Sequence, residues 1–368
     1  MRIPAVILCD AASAPRRVAG LWLLDRLVVA AHRAGAEDIT IVSEKPLARL
    51  ERALALGIPV RVAAVRPELP RPTLVLSDRL LIQPADLSRL MERGGRLARP
   101  DGQPLPAGIL TEFSALPGED PWSGRPAILA QGVAEFVDDE LGAARAGRAL
   151  WASLGSATDG WVDRHCNRPV GRWLAKMLVH TSVSPNQVSV AAILLGLVAA
   201  ALFAQGDYRR ALEGAILLQV SAMVDCVDGY LARAMFKESR LGKWLDLAGD
   251  QVVNIAIFAG IGIGLARAGS SAPVAALAAS GALGVVVSFV VVTYGQWQRE
   301  SPRHPRLEKL IEATANRDFS VVLLLLAWLG KLPWFLWMAA IGVHAFWLLV
   351  LGVQWLNQPA AATLEPRS

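Results

Sequence analysis

The chain is predicted to fold as an α/β domain with a parallel sheet, followed by an all-α domain of six transmembrane helices. Three observations predict it. Residues 1 to about 150 alternate short apolar runs with helical patterns and carry many charges, the rhythm of an α/β layer. Residues 185–357 hold several apolar runs close to the roughly 20 residues that cross a bilayer as a helix. The averages agree: 54% of residues are apolar and only 19% charged, against about 25% charged in a soluble domain, with a mean hydropathy of +0.39.

In the first domain, IPAVILC (3–9), DITIVS (38–43), PVRVAAV (59–65) and PTLVLS (72–77) read as buried strands. GLWLLDRLVVAAHRAG places apolar residues at helical spacing and ends at Gly35, a natural helix stop. LARLERALALG (47–57) repeats that pattern. Residues 95–130 are rich in Pro and Gly and carry no clear period.

Residues 159–180 read as an interfacial juxtamembrane helix. Arg164, Arg168, Arg172 and Lys176 recur every four residues, so a helix lines them up in one stripe, with Trp161, Trp173, Leu174 and Met177 mostly elsewhere. Pro169 is expected to start or kink it. The same charges also fit ordinary flanking of membrane spans, and the two readings are compatible.

Six spans are expected at about 186–205, 209–235, 242–266, 273–296, 318–330 and 333–356, with a tail over 358–368. Basic residues crowd the loops after spans two (Arg233, Lys237, Arg240, Lys243) and four (Arg299, Arg303, Arg306, Lys309, Arg317). The positive-inside rule then puts these loops and the N-terminal domain in the cytoplasm of a multi-pass protein of the cell (inner) membrane. The net charge of +5 is assigned to this flanking, and no nucleic-acid partner is expected. Cys9, Cys166 and Cys226 are far apart and form no CxxC pair, which fits a reduced interior. MRIPAVILCDAASAPRR has too short an apolar run for a signal peptide, so the mature chain is expected to begin at or near Met1.

Four aspartates interrupt the apolar runs in VDCVDGYLARAMFKESRLGKWLDLAGDQ (224–251). An ionised carboxylate inside a membrane helix costs on the order of 3 kcal/mol even on lenient scales. Asp225 and Asp228 are three apart, Asp246 and Asp250 four apart, so each pair shares a helix face. The short MFKESRLGK connection lets the two helices pack antiparallel with carboxylates facing. Such a cluster repels itself or takes up protons unless cations intervene. All-oxygen ligands without nearby His or Cys suit two divalent cations, Mg²⁺ or Mn²⁺, shared as in phosphoryl transfer. Gly229 admits a close backbone approach, and Arg233 offers a fork that matches phosphate. An ion pathway or polar contacts between helices would also place acids here.

The pattern Asp225-x-x-Asp228-Gly229-x-x-Ala232-Arg233, eight residues, Gly242-x-x-x-Asp246-x-x-x-Asp250 resembles the CDP-alcohol phosphotransferase motif at every fixed position. The resemblance covers residues 159–357, including Asn167-Arg168-Pro169 and Ser184-Pro185-Asn186-Gln187-Val188, where the family usually has Thr in place of Ser184. It implies a six-helix membrane enzyme that transfers a phospho-alcohol group from a CDP-linked donor, such as CDP-diacylglycerol or a CDP-polyol, to a hydroxyl acceptor and releases CMP. By motif position, Asp225, Asp228, Asp246 and Asp250 would be metal ligands and Asp250 also the catalytic base. Gly229, Ala232, Arg233 and Gly242 would line the CDP site. Arg168, Arg172, Arg299 and Arg317 are candidates to hold the acceptor, a phosphorylated polyol among the options, or are topological charge. The resemblance also implies a homodimer.

AVILCDAASAP and LVVAAHRAGAEDITIVS resemble the opening of sugar-nucleotidyltransferases. CDAASAPRR lacks the two glycines of their phosphate loop, and no lysine occurs before Lys45. Asp78, after LVLS, stands where such enzymes carry a metal-binding aspartate. The domain at 1–150 therefore looks like the cytidylyltransferase half of bifunctional inositol-phosphate enzymes with its activity lost. A live cytidylyltransferase, or a transporter or scaffold without chemistry, are the alternatives.

Overall fold

The computed structural model describes residues 3–10, 15–47, 49–69, 72–112, 120–155, 160–297 and 319–356. They form two compact units. One takes in residues up to Leu154 together with Arg233–Lys237, the other Gly155–Ala232 and the chain from Glu238.

The first unit is built on β1 (Pro4–Leu8), β2 (Arg17–Val18), β3 (Leu21–Trp22), β4 (Glu37–Val42), β5 (Val60–Ala63), β6 (Thr73–Ser77), β7 (Leu80–Ile82), β8 (Arg96–Ala98), β9 (Pro104–Leu110), β10 (Ala127–Leu129) and β11 (Ala134–Phe136). Its helices are α1 (Leu23–Arg33), α2 (Glu51–Ala55), α3 (Pro84–Arg93) and α4 (Glu140–Ser153). The main sheet runs β10-β8-β9-β6-β1-β4-β5. The four strands expected from the sequence, β5, β4, β1 and β6, are neighbours and all parallel. The apolar residues of β1, β4 and β6 follow from cover on both faces: Ile7, Ile41, Leu74 and Leu76 are fully buried, in one core with Leu27 of α1 and Leu87 and Leu90 of α3. β5, expected to be buried, is instead the edge of the sheet, where Arg61 and Val62 are exposed because, among the described residues, no strand or core lies beyond them.

The sheet is mixed rather than purely parallel, because β9 runs antiparallel to β6 and β8. The cause lies in the stretch that carried no period. Gly102 (φ +87°) turns the chain between β8 and β9, with Arg99 N–H donating to the Gln103 carbonyl at 2.8 Å and Gly102 N–H to the Arg99 carbonyl at 2.9 Å. A turn this tight can join only antiparallel strands.

In the second unit, α5 (Arg168–Leu178) starts at the expected proline. A π-helical turn over Asp163–Asn167 precedes it, in which Arg168 N–H reaches back five residues to the Asp163 carbonyl. Pro169 has no N–H, so a widened turn just before it loses little. Then come α6 (Pro185–Phe203), α7 (Tyr208–Ala234), α8 (Arg240–Arg267), α9 (Val274–Trp297), α10 (Phe319–Trp328) and α11 (Leu332–Leu356). Five of these are long and apolar enough to cross a membrane, which makes the chain a multi-pass membrane protein. The fifth expected span, 318–330, is a shorter apolar helix of ten described residues, α10.

Side chains shrink where these helices meet. A Cβ at Gly260 would lie 2.3 Å from the Ala200 carbonyl oxygen, and one at Gly264 2.0 Å from that of Phe203. Glycine therefore lets α8 lie backbone to backbone on α6, the packing that lipid favours in place of a hydrophobic drive. A buried string of polar groups ties three elements: Asn167 donates to Asp163 (2.7 Å), Gln219 to Asn167 (2.6 Å) and Ser320 to Gln219 (2.9 Å). Each buried polar group thereby has a partner that water cannot supply.

Candidate active site

The aspartates stand on two helices, α7 and α8. Ser239 caps α8 by accepting from Gly242 N–H at 2.9 Å. Ser184 caps α6 through a capping box with Gln187, the arrangement that satisfies two orphan donors of a helix start. Asp225 and Asp228 of α7 and Asp246 of α8 each offer a carboxylate oxygen, and these oxygens all lie within 4.8 Å of one another. Asp225 and Asp228 are half-buried and Asp246 is exposed.

Asp250, one turn beyond Asp246 on α8, is not in this group. With Asp225 it lines a cavity of about 580 Å³. The cavity is otherwise mostly apolar, with Phe258, Phe289, Phe335 and Phe346 in its wall beside Asn254 and Ser288.

Gly242 is a crowded spot, since a Cβ there would lie 3.0 Å from Asn186 Oδ1 and 3.1 Å from Ser239 Oγ. Gly229 and Ala232 follow Asp228 on α7, both half-buried. Arg233, in the last turn of α7, donates its Nε to the Leu154 carbonyl at 3.0 Å inside the first unit. Arg168 and Arg172 both lean over the ring of the fully buried Tyr230, at 5.6 and 5.8 Å. Gly171 between them allows this approach of α5 to α7: its Cβ position is 2.8 Å from Cys226 Cβ. Arg299 and Arg317 lie outside the described residues.

One site residue escapes any reading of the motif. The Ser189 hydroxyl, on α6, donates to Asp228 Oδ2. A serine four residues into a membrane helix gives no signal of its own; only the fold brings it to the carboxylate.

The donor set fits a hard divalent cation. Three carboxylates converge from two helices, and among the described residues no His or Cys joins them. Their mutual repulsion is what a dication removes.

The first unit holds a cavity of its own, about 900 Å³, at the C-terminal ends of β1, β4 and β6. Asp10, Arg16, Lys45, Asp78, Arg79 and Trp122 are among its lining. Asp78 follows β6 directly and donates its N–H to the Leu8 carbonyl at 3.1 Å. Arg79 pairs with Asp10 at 2.6 Å. The Ala-Ala-Ser-Ala of CDAASAPRR lies outside the described residues.

Comparison with known proteins agrees with the motif. Residues 182–347 match the CDP-alcohol phosphatidyltransferase family. A bifunctional IPC transferase and DIPP synthase of Rubrobacter xylanophilus is 33% identical over 184 residues, 50% of this chain and 39% of that protein. A phosphatidylinositol phosphate synthase of Streptomyces avermitilis is 29% identical over 208 residues, 53% of this chain and 82% of that protein. The matches span between 24% and 40% of the length of the bifunctional relatives. Among solved structures, the phosphatidylinositol phosphate synthase of Mycobacterium tuberculosis with CDP-DAG bound aligns with a TM-score of 0.41 and 18% identity, over 55% of this chain and 99% of that one. Over residues 182–347 the chain is therefore similar to the CDP-alcohol phosphatidyltransferase family.

Proposed function

We propose that the chain transfers a phospho-alcohol group from a CDP-linked donor to an acceptor hydroxyl and releases CMP, in phospholipid or polar-headgroup synthesis. The observation that carries this is the convergence of Asp225, Asp228 and Asp246 within 4.8 Å, on the eight-position motif. These carboxylates would hold the divalent cations, and Ser189 holds Asp228 in place for them. The cations, when bound, neutralise charge on the donor's diphosphate and on the leaving CMP. Asp250, which lines the cavity beside Asp225, is proposed to accept the acceptor's hydroxyl proton as its oxygen bonds to phosphorus and the P–O bond to CMP breaks. Gly229, Ala232, Arg233 and Gly242 are proposed for the CDP moiety, on their motif positions.

The cavity beside Asp225 and Asp250 favours a lipid-linked reactant. Its phenylalanine-rich wall suits an apolar chain better than a second polyol, because burying polyol hydroxyls there without partners is costly. The acceptor is proposed to be a small, polar, hydroxyl-bearing alcohol that reaches the site from the cytoplasm, and the protein is proposed to act as a homodimer. The test uses purified full-length protein with Mn²⁺ and a panel of CDP-diacylglycerol and CDP-polyols against polar alcohols and their phosphates. CMP release with CDP-diacylglycerol is expected. Release only with CDP-polyols would remove the lipid from the reading, and none with any donor would remove the transferase.

The first unit is proposed to have no cytidylyltransferase activity, given the missing glycines of CDAASAPRR. The second reading, a bifunctional enzyme, is favoured by the cavity of about 900 Å³ with Asp78 in its wall. Pyrophosphate release from CTP with phosphorylated alcohols separates the two, and a release abolished by Asp78→Ala would establish the second.

A further inference from the structure

The first unit contains five residues from the middle of the membrane half of the sequence, Arg233–Lys237, which join the end of α7 to the start of α8. Their hold on the unit is dense. Arg26, 2% exposed, donates through Nη2 to the Ala234 carbonyl (2.7 Å) as well as to those of Val18 (3.0 Å) and Ala19 (3.2 Å). The Ala234 carbonyl is one of those that a helix end leaves without an internal partner, and a cation is the favoured group there. Burial lowers the Arg26 pKa to about 10, so it stays charged at neutral pH. The Phe236 carbonyl accepts from both Arg33 (3.0 Å) and Arg52. Its ring is 7% exposed, belongs to the sheet core and lies under the guanidiniums of Arg33 (4.7 Å) and Arg26 (5.3 Å).

Phe236 also has φ +54°. A bulky residue in the left-handed region is strained and persists only where its surroundings over-determine it. Here the surroundings are three arginines and a core site. The chain could have used glycine, which takes this φ freely, but glycine has no ring to anchor.

We infer that the α/β unit is a positioning part of the transferase site: through Arg26, Arg33, Arg52 and Phe236 it fixes the turn between the two aspartate helices, and so the distance at which Asp225 and Asp228 meet Asp246. Asp228 is six residues before Ala234, and Asp246 is ten after Phe236, so a hinge in this turn moves both sides of the cluster. The inference rests on the metal role of those aspartates, and it gives the unit a task that needs no nucleotide chemistry.

The test reads Mn²⁺ binding to the detergent-solubilised full chain from the loss of the free-ion EPR signal, without substrates. Phe236→Ala is expected to weaken Mn²⁺ binding about tenfold, the size seen when supports of metal ligands are removed. CMP release should fall at limiting Mn²⁺ and recover in excess. If Phe236→Ala does not fold, the Arg33→Gln/Arg52→Gln double variant loosens the same carbonyl with Arg26 intact and should show the same shift. Unchanged Mn²⁺ affinity in a folded variant overturns the inference. Asp225→Asn separates this from the metal reading: if it too binds Mn²⁺ normally, the metal site itself is wrong, whereas if it alone loses Mn²⁺, only the positioning role falls.

Discussion

The hydroxyl of Ser189 has two acceptors in reach, the Pro185 carbonyl at 3.2 Å and the Asp228 carboxylate, and only one proton to give. The ionised partner wins, because hydrogen bonds to charged acceptors are the stronger ones. Asp228 is thereby fixed from a third helix.

Ser189→Ala is accordingly expected to raise the Mn²⁺ concentration for half-maximal CMP release about tenfold, with little change in the rate at saturating metal. A change in the maximal rate alone would mean that Ser189 acts on the substrate and not on Asp228.

Asp225→Asn, Asp228→Asn and Asp246→Asn should each abolish CMP release in a protein that still folds, and chelation by EDTA should do the same reversibly. The three oxygens lie within 4.8 Å of one another, so a neutral amide removes charge from the centre of the cluster. Near-normal turnover of any one variant at ordinary metal concentration would sink the two-cation reading.

Asp250→Asn is expected to behave differently, with turnover down by about 10² to 10⁴-fold and Mn²⁺ affinity close to that of the unaltered protein. The reason is that the close trio of carboxylates is made without it, and that it lies on the cavity wall. Parallel loss of metal binding and turnover would make it a ligand first.

The convergence of Asp225, Asp228 and Asp246 was legible because its logic is local. Spacings of three and four put acids on one helix face whatever the tertiary structure, and the short link between α7 and α8 allows their faces to meet. The inner parallel strands β1, β4 and β6 were legible for a similar reason, since Ile7, Ile41 and Leu76 sit in mostly apolar runs that suit a doubly covered strand. What stayed hidden depends on partners distant in sequence. Ser189 meets Asp228 across 39 residues and Arg26 meets Ala234 across 208, and neither leaves a period behind. The reversal at β9 hung on Gly102, one of 31 glycines, most of which do no such work.

The close contact of α8 with α6 yields a fourth prediction. Gly260→Val in the otherwise unaltered chain should lower the detergent-phase melting temperature, since a side chain 2.3 Å from the Ala200 carbonyl oxygen forces the helices apart. Overpacking of this kind costs typically about 1–3 kcal/mol. Gly342→Val on α11, where none of the described residues comes within 4 Å, serves as the control and should leave the melt unchanged. Equal effects at both positions would mean that the valine disturbs the helix itself and not the interface.

The last prediction concerns Cys9, at the end of β1 in the wall of the first unit's cavity. Burial, and then the negative charge of Asp78, push its thiol from an ordinary 9.0 up to about 12. The thiolate is the reactive form, so folded Cys9 should resist iodoacetamide at pH 8 while the exposed Cys166 is alkylated, as read by peptide mass mapping. Denaturation should bring Cys9 up to the same rate. The sign for stability follows from the raised value. Below pH 9 both folded and unfolded chains hold the proton and nothing is lost. Between about 9 and 12 only the unfolded chain gives it up, so the stability due to the neutral thiol drains away as pH rises through that window. Cys9→Ser should therefore flatten the alkaline limb of the pH–stability curve of the full chain. An alkaline limb identical in Cys9→Ser and the parent, or alkylation of Cys9 as fast as Cys166 at pH 8, would show that neither burial nor Asp78 holds the proton on the sulfur.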